Sequence, residues 1–537
     1  MEPGTFFFER HIHVRALSFR TNTSCTGGGR RPPRFSPSRA ATTRSEMPVL
    51  DTPRPKWKRS RIHPTVPFNM PPDRLRRGQV EMTKLTDTDA DRTPPSRWKT
   101  YLYGLVAAEV STTARYCDQL VQLCPLEHDS GLLLDAIECS AKTLAGRPEE
   151  LADVSADPAH RLMILLNGNL NHESNIQDLL GQVKPKLSRS SRLAVVIYNP
   201  YLAWLYALAD KLGLRQAQPP ATFLTRNDLN VICKLAGYEL VRMRNVAFCP
   251  WRLAGIGSLV NRLMPVVPVL RWLGFVFLVV LRPVIPQRSA PSLSIVIPAR
   301  DERDNIEEAL KRIPPLPASE CEVIFVEGHS SDGTWEQIQR VMPRYSDRFR
   351  LSAYQQEGRG KNDAVRLAFS KARGELLVIL DADLTVPPEL LGSFYEAYCR
   401  GLGDMVNGSR LVYTMEQKAM RFLNRLGNIF FAKALSYVLG TRIGDSLCGT
   451  KLLSRCDYER IVRWRKDFGD FDPYGDFELL FGAAELALGI VDVPIRYGAR
   501  SYGAPSISRF RDGFLLLKMT ATGLAGLTMG KIHRSRR

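Results

Sequence analysis

The sequence predicts an α/β protein with mostly parallel sheet, and three observations carry that prediction. Strand-like and helix-like segments alternate between about residues 161 and 246. Three short apolar runs beyond residue 291 are each followed by a polar cluster, and the third run stops at Asp381-Ala382-Asp383. Alternating β and α elements argue for parallel strands joined by helical crossovers. Polar clusters at the carboxyl ends of buried strands line one crevice, where open α/β sheets bind ligands.

At 537 residues the chain has room for two to four domains, and 44% apolar content suffices for ordinary cores. Much of the net charge of +19 sits before residue 100, in Arg30, Arg31, Arg34 and Arg39 and then Lys56, Lys58, Arg59 and Arg61. Residues 1–95 therefore read as a basic disordered tail. Aromatics do not interleave with base-reading side chains, which argues against nucleic acid as a partner. Phe6-Phe7-Phe8 is too short for a signal-peptide core, and no small-residue cleavage site follows it. Ten cysteines lie scattered without Cys-x-x-Cys pairs, which suits a reducing compartment and not a structural metal site.

In the first folded region, residues 96–250, strands are predicted at 162–166 and 193–197, helices at 176–183 and 227–235, and a further strand from Tyr238. This order resembles the C-terminal half of a class I S-adenosylmethionine-dependent methyltransferase. The resemblance includes the ending Leu224-Thr225-Arg226-Asn227-Asp228-Leu229 with Ala236-Gly237-Tyr238-Glu239-Leu240-Val241. That family needs a glycine-rich turn so that backbone can approach the cofactor. The nearest counterpart is 132–142, where side chains stand in place of the glycines, and the span from there to Leu162 is short. The expectation is a partial, degenerate Rossmann-like region that does not bind the cofactor.

Residues 251–290 read as an apolar interfacial segment and linker. The run from Trp272 to Leu281 is well short of the roughly 20 residues of a spanning helix, and Pro265, Pro268, Arg271 and Pro283 interrupt its flanks. Either a core or interdomain helix or a helix in the membrane interface fits, the latter being preferred.

Beyond it, 293–298 predicts a buried first strand followed by a helix through Ile306, Ala309 and Leu310. A second strand is predicted at 322–326, a helix at 363–372, and a strand ending at Asp381. Two carboxylates one residue apart at a strand end supply hard oxygen ligands for a divalent cation on a diphosphate. The plain alternative for an isolated Asp-x-Asp is an acidic turn.

The surrounding motifs are Ser-Ile-Val-Ile-Pro-Ala-Arg-Asp-Glu from Ser294, Val-Glu-Gly-His-Ser-Ser-Asp-Gly-Thr from Val326, Gly-Arg-Gly-Lys-Asn-Asp-Ala-Val-Arg from Gly358, and Leu-Asp-Ala-Asp from Leu380. Together with Asn407-Gly408-Ser409-Arg410, Asp445-Ser446-Leu447-Cys448-Gly449-Thr450-Lys451 and Gly475-Asp476-Phe477-Glu478, they resemble the family-2 glycosyltransferases of GT-A fold. The resemblance covers about 291–515 and is nearest the polyprenyl-phosphate glycosyltransferases, the group containing dolichyl-phosphate mannose synthase. One departure is Glu327-Gly328, where many members carry two aspartates.

The resemblance implies a nucleotide-sugar donor bound by Pro298, Arg300, Glu302, Glu327 and Asp332, with Lys361 on the phosphates. Asp332 has helix capping as a rival role, and Arg366 reads as a solvated helix face sooner than a phosphate ligand. Asp381 and Asp383 would hold Mg²⁺ or Mn²⁺ as metal ligands. Asp383, Asp445 and Asp476 are the catalytic candidates, Asp476 serving as general base if the acceptor is a sugar hydroxyl. Thr450, Lys451, Glu478 and Arg509 are the acceptor candidates. Cys448 reads as a small packing residue because no histidine accompanies it.

The expected activity is inverting, metal-dependent sugar transfer to a lipid phosphate or glycan. The alternatives are a bifunctional methyltransferase/glycosyltransferase and a non-catalytic nucleotide-sugar or lipid-binding scaffold. Apolar and basic faces at 421–433 and 510–532, the latter including a tail from 516, suit attachment to an anionic leaflet, as does the cluster Arg496, Tyr497, Arg500, Tyr502, Arg509 and Arg511. The expected location is cytoplasmic, peripheral on the membrane face.

Overall fold

In the computed structural model the described residues are 96–127, 129–213, 219–287, 289–413, 422–496, 498 and 509–529. The tail expected at 1–95 lies outside them. Six strands form the first sheet: β1 (Gln119–Leu123), β2 (Lys142–Ala145), β3 (Leu162–Asn167), β4 (Arg192–Tyr198), β5 (Tyr238–Val246) and β6 (Val276–Pro283). Their order is β2-β1-β3-β4-β6-β5. The first four are parallel, and β6 runs antiparallel to both β4 and β5.

Both faces of the sheet's centre are covered, so β3, β4 and β6 are apolar without alternation. Val106, Val110 and Ala114 of the helix Arg97–Ala114 pack on one face. The other face takes the helices Ile176–Val183 and Arg226–Leu235. The first starts at Asn175, whose side chain accepts from the Asp178 N–H, and the second at a Thr225/Asp228 capping box, so both helix starts are written in the sequence.

Two expectations need correction here. Residues 276–283 form not a helix but β6, with Phe277, Val279 and Leu281 fully buried. A short Val-rich run bounded by prolines fits a buried strand as well as a helix, and periodicity alone does not separate them. The turn after the first strand is also not 132–142, which forms the helix Leu132–Ala136 and the start of β2. It is 124–131, with Cys124 at φ 48°. Asp129 there accepts from Gln122 at 2.5 Å, Asn167 at 2.9 Å and the Gly131 N–H at 3.0 Å.

The second sheet has seven strands: β7 (Leu293–Ala299), β8 (Cys321–Glu327), β9 (Arg350–Gln355), β10 (Leu376–Ile379), β11 (Met405–Ser409), β12 (Lys451–Ser454) and β13 (Ile490–Pro494). The order is β13-β11-β12-β10-β7-β8-β9. Strands β7 to β10 are parallel, while β12 runs antiparallel between β10 and β11. The mixed sheet therefore brings the start of β12, at Lys451, beside the carboxyl end of β10.

Four fully buried arginines of the first sheet region, Arg161, Arg192, Arg242 and Arg282, join the two sheets. Arg161 donates to the Leu486 carbonyl, Arg192 to Ala487 at 2.6 Å and Arg242 to Ala484 at 3.3 Å. These carbonyls close the C-terminal end of the helix Asp476–Glu485, where cations are favoured by the helix dipole. Arg192 at 2.7 Å, Arg189 at 3.3 Å and Arg282 at 3.3 Å also converge on Asp404, just before β11. Burial pushes the Asp404 carboxyl up, but the three guanidiniums overcome it and hold it well below the usual carboxylate range.

Replacing Asp404 by Ala leaves three arginines facing an empty partner position and should cost about 3–5 kcal/mol in denaturant unfolding. Because the folded-state pKa is depressed, the contribution of Asp404 is complete above about pH 4 and declines as acid lowers the pH toward the folded-state value. An Asp404→Asn chain should lose that part of the acid dependence.

Candidate active site

The crevice lies at the carboxyl ends of β7, β8 and β10. Three non-glycine residues there take left-handed backbone: Asp301 after β7 at φ 54°, His329 after β8 at φ 59° and Leu384 after β10 at φ 51°. Such conformations cost energy and persist where surrounding bonds fix them. Here the bonds cross between loops. Asp301 accepts from the Ser331 N–H at 2.8 Å, and its own N–H donates to Ser330 at 3.0 Å. Asp332 accepts from the N–H groups of Thr334 at 3.0 Å and Arg303 at 3.1 Å, a loop-bracing role of the kind its capping alternative anticipates.

Of the donor candidates, Pro298 is half-buried on β7 and Arg300 is exposed, 3.7 Å from Asp301. Glu302 is buried and accepts from Asn305 at 2.6 Å. Glu327, also buried, accepts from the Ser330 N–H and from Gln355 at 3.2 Å.

Lys361 is the first residue of the helix Lys361–Lys371 and reaches Asp381 at 2.5 Å. Burial pushes the Asp381 carboxyl up, yet Lys361, with Lys451 and Arg410, holds it below its ordinary value. Asp383 accepts from the Thr385 hydroxyl at 2.8 Å and N–H at 3.1 Å. Gly449 presses against the Lys361–Asp381 pair: a Cβ there would stand 2.1 Å from Lys361 Nζ and 2.2 Å from Asp381 Oδ2. The Cys448-Gly449-Thr450 turn is thus packed onto the carboxylate and the ammonium at once.

Asp445 is fully buried and grips Arg410 with both oxygens, at 2.7 and 2.9 Å, while accepting the N–H groups of Arg410 at 3.1 Å and Leu447 at 3.0 Å. Asp476 receives Lys451 at 2.6 Å, and Lys451 also donates to the Cys448 carbonyl. Glu478 does not open onto the crevice mouth. It is buried, bonded to Arg465 at 2.7 Å and to Arg366. Arg366 in turn pairs bidentately with Asp470 at 2.9 and 2.8 Å, so it is neither a phosphate ligand here nor an unpaired solvated residue. Thr450 is fully buried beside the site with its hydroxyl unpartnered, as is Ser446. Burial pushes the Cys448 thiol up to about 12, consistent with packing. Arg509 begins the helix Arg509–Gly523, but its side chain lies outside the described residues, as do Tyr497, Arg500 and Tyr502.

The sequence reading omitted Arg410 and Asp301 from the candidate side chains. Both stand inside quoted motifs, and the available signal was a charged residue within two positions of a strand end. No group of three or more His, Cys, Asp or Glu residues able to hold a metal occurs among the described residues. Two carboxylates nonetheless suit Mg²⁺ or Mn²⁺, which complete their shells with substrate phosphates and water.

Residues 294–462 match the family described as Glycosyl transferase family 2, and this part of the chain is a family-2 glycosyltransferase domain. A dolichol-phosphate mannosyltransferase of Pyrococcus furiosus is 35% identical over 121 residues, 22% of this chain and 33% of that protein. A dolichyl-phosphate hexose transferase of Haloferax volcanii is 29% identical over 221 residues, 41% of this chain and 89% of that protein. The chain thus spans a third of the first relative and most of the second. A solved glucosyl-3-phosphoglycerate synthase of M. tuberculosis superposes with TM-score 0.33 at 20% identity, covering 44% of this chain and 81% of that one; a superposition of that quality fixes neither activity nor ligand.

A Gly449→Ala chain should push Lys361 away from Asp381. Overpacking of this kind is expected to cost about 1–3 kcal/mol, read as a lower denaturation midpoint at unchanged slope.

Proposed function

We propose that the chain is an inverting glycosyltransferase that moves a sugar from a nucleotide-sugar donor to a polyprenyl phosphate at the cytoplasmic membrane face. The observation that carries this reading is the Lys361–Asp381 ion pair at 2.5 Å at the end of β10, with the Cys448-Gly449-Thr450 turn packed directly onto it. A lysine beside two carboxylates at a strand end suits a diphosphate held partly by the ammonium and partly through a divalent cation. The match to family 2 and the names of the relatives support the same reaction class.

Asp381 and Asp383 would hold Mg²⁺ or Mn²⁺ against the donor diphosphate, the cation neutralising charge on the departing nucleoside diphosphate. Lys361 orients that diphosphate by direct charge contact. Pro298 and Arg300 border the nucleotide, while Glu302, Glu327 and Asp332 brace the loops that form its pocket. An oxygen of the acceptor phosphate attacks the anomeric carbon; the bond to the β-phosphate oxygen breaks, and its electron pair leaves on the diphosphate with inversion.

A phosphate acceptor is already anionic and needs no base. The ion pair of Asp476 with Lys451 at 2.6 Å favours this over a sugar hydroxyl, because the carboxylate is already engaged. In this reading Asp445 positions Arg410 and accepts no proton itself. Thr450 and Lys451 border the acceptor, and Glu478 anchors the helix behind them.

The first sheet region is proposed to be a degenerate methyltransferase-like scaffold. Support comes from its parallel strands with β6 inserted antiparallel beside β5, and from a turn after β1 that carries Pro125 and Asp129 where a cofactor cradle needs glycines. A working second activity is not favoured. Titration of the whole chain with S-adenosylmethionine should give no saturable heat; micromolar binding would overturn the scaffold reading.

The test of transfer follows nucleoside diphosphate release from a panel of nucleotide sugars, with and without Mn²⁺ or Mg²⁺ and a short polyprenyl phosphate. Release should require both metal and lipid. Asp383→Ala should lower it at least about 10²-fold, the scale of losing one pre-positioned electrostatic contact, at unchanged melting behaviour. Full activity of that variant would remove the metal assignment, and release with a glycan but not the lipid would reassign the acceptor.

A further inference from the structure

Residues 251–273 lie outside the matched domain and fold inside out. In the helix Ile256–Leu263, the buried positions are Gly257 and Asn261. Asn261 accepts from the N–H groups of Phe248 at 2.7 Å and Cys249 at 3.0 Å and donates to the Cys249 carbonyl at 2.8 Å. Ile256, Leu259 and Leu263, spaced three and then four residues apart, face solvent at 64%, 56% and 43% exposure. A surface helix ordinarily turns that stripe toward the core. Trp251, Val269 and Trp272 extend the exposed apolar area at 54%, 77% and 39%. The Tyr437 hydroxyl donates to the Val266 carbonyl at 2.7 Å, tying the segment to the glycosyltransferase domain.

Charge selects the occupant of this face. No Asp or Glu occurs between Glu239 and Asp301, whereas Arg252 and Arg262 flank the stripe and are exposed. A second copy docking face to face would oppose these arginines with no local acid to pair them. An anionic leaflet accepts the apolar stripe in its interface and the arginines at its phosphates. No described helix is long and apolar enough to cross a membrane, so the segment lies on the surface.

We propose that residues 251–273 form the membrane-docking face, seated in the interface of an anionic phospholipid leaflet with Trp251 and Trp272 near headgroup depth. The proposal deepens the membrane attachment named above by assigning its surface. Its test uses neither donor, metal nor acceptor, so its outcome is independent of sugar transfer.

The full chain is floated with phosphatidylcholine vesicles that contain or lack about one third phosphatidylglycerol. Brominated phospholipid in the same vesicles reads tryptophan depth. The chain should float with the anionic vesicles and show quenched emission, and Trp251→Phe/Trp272→Phe should remove most of the quenching. Ile256→Glu/Leu259→Glu/Leu263→Glu should lower the bound fraction at least about tenfold without changing the melting curve. Arg252→Glu/Arg262→Glu, which reverses the exposed charge and also removes Arg252 from the Tyr101 ring, should abolish the preference for anionic vesicles, and Arg262→Glu alone should weaken it.

Flotation with quenching unaffected by the tryptophan changes would place the contact elsewhere, such as the basic residues before 96, and overturn the proposal. So would an absence of flotation. Self-association that the triple substitution abolishes, without vesicle binding, would make the face an interface between copies.

Discussion

The C-terminal end of the helix Asp476–Glu485 is held by arginines from another part of the chain, and the crevice depends on that grip. Residues 484–487 present carbonyls at the helix end, where intrahelical partners run out; that of Ala484 also takes the Ala487 N–H at 3.1 Å. Arg161, Arg192 and Arg242 reach them from the first sheet region, and Thr113 donates to the Glu485 carbonyl at 2.9 Å. At the opposite end Asp472 accepts from the N–H groups of Phe477 at 2.7 Å and Glu478 at 2.8 Å. With both ends fixed, Asp476 is delivered to Lys451 at the start of β12. A region that carries no residue of the crevice thereby sets the position of one of its carboxylates.

The crevice shows the same economy of contacts at shorter range. Lys361 comes from a helix after β9, Asp381 from the end of β10 and Gly449 from the turn before β12, and the three touch. The side-chain-free face of Gly449 is what allows the acceptor-side turn to approach the donor-side ion pair. Arg410 and Asp445 add a buried bidentate pair whose net worth to stability is small, because desolvation offsets much of the attraction. Its value is geometric: it fixes the guanidinium at the end of β11 in one position, which a flexible surface arginine would not hold.

The exposed apolar segment 251–273 and the buried strand β6 that follows it share one stretch of sequence with opposite fates. Val276 onward finds neighbours on both sides in β4 and β5, so its apolar side chains are buried there. The preceding turns have polar anchors, Asn261 and Ser258, facing inward and are left with their apolar stripe outward. The same hydropathy in sequence thus gives a core strand and a solvent-facing patch within thirty residues.

The sequence by itself determined the elements whose signals are local. The helix at 176–183 and the strands near 162, 193, 293, 322 and 376 follow from apolar patterning, and the helix starts at Asn175 and Thr225 from capping residues. Strand-end polar clusters likewise placed Asp381, Asp383 and Lys361 along one edge. What only the tertiary structure decided was pairing. Whether 276–283 became helix or strand depended on β4 and β5 being there to bond it. Whether Glu478, Asp445 and Arg366 faced the crevice or one another depended on which charges met after folding, because ion pairs between residues 35 to 112 positions apart leave no trace in spacing.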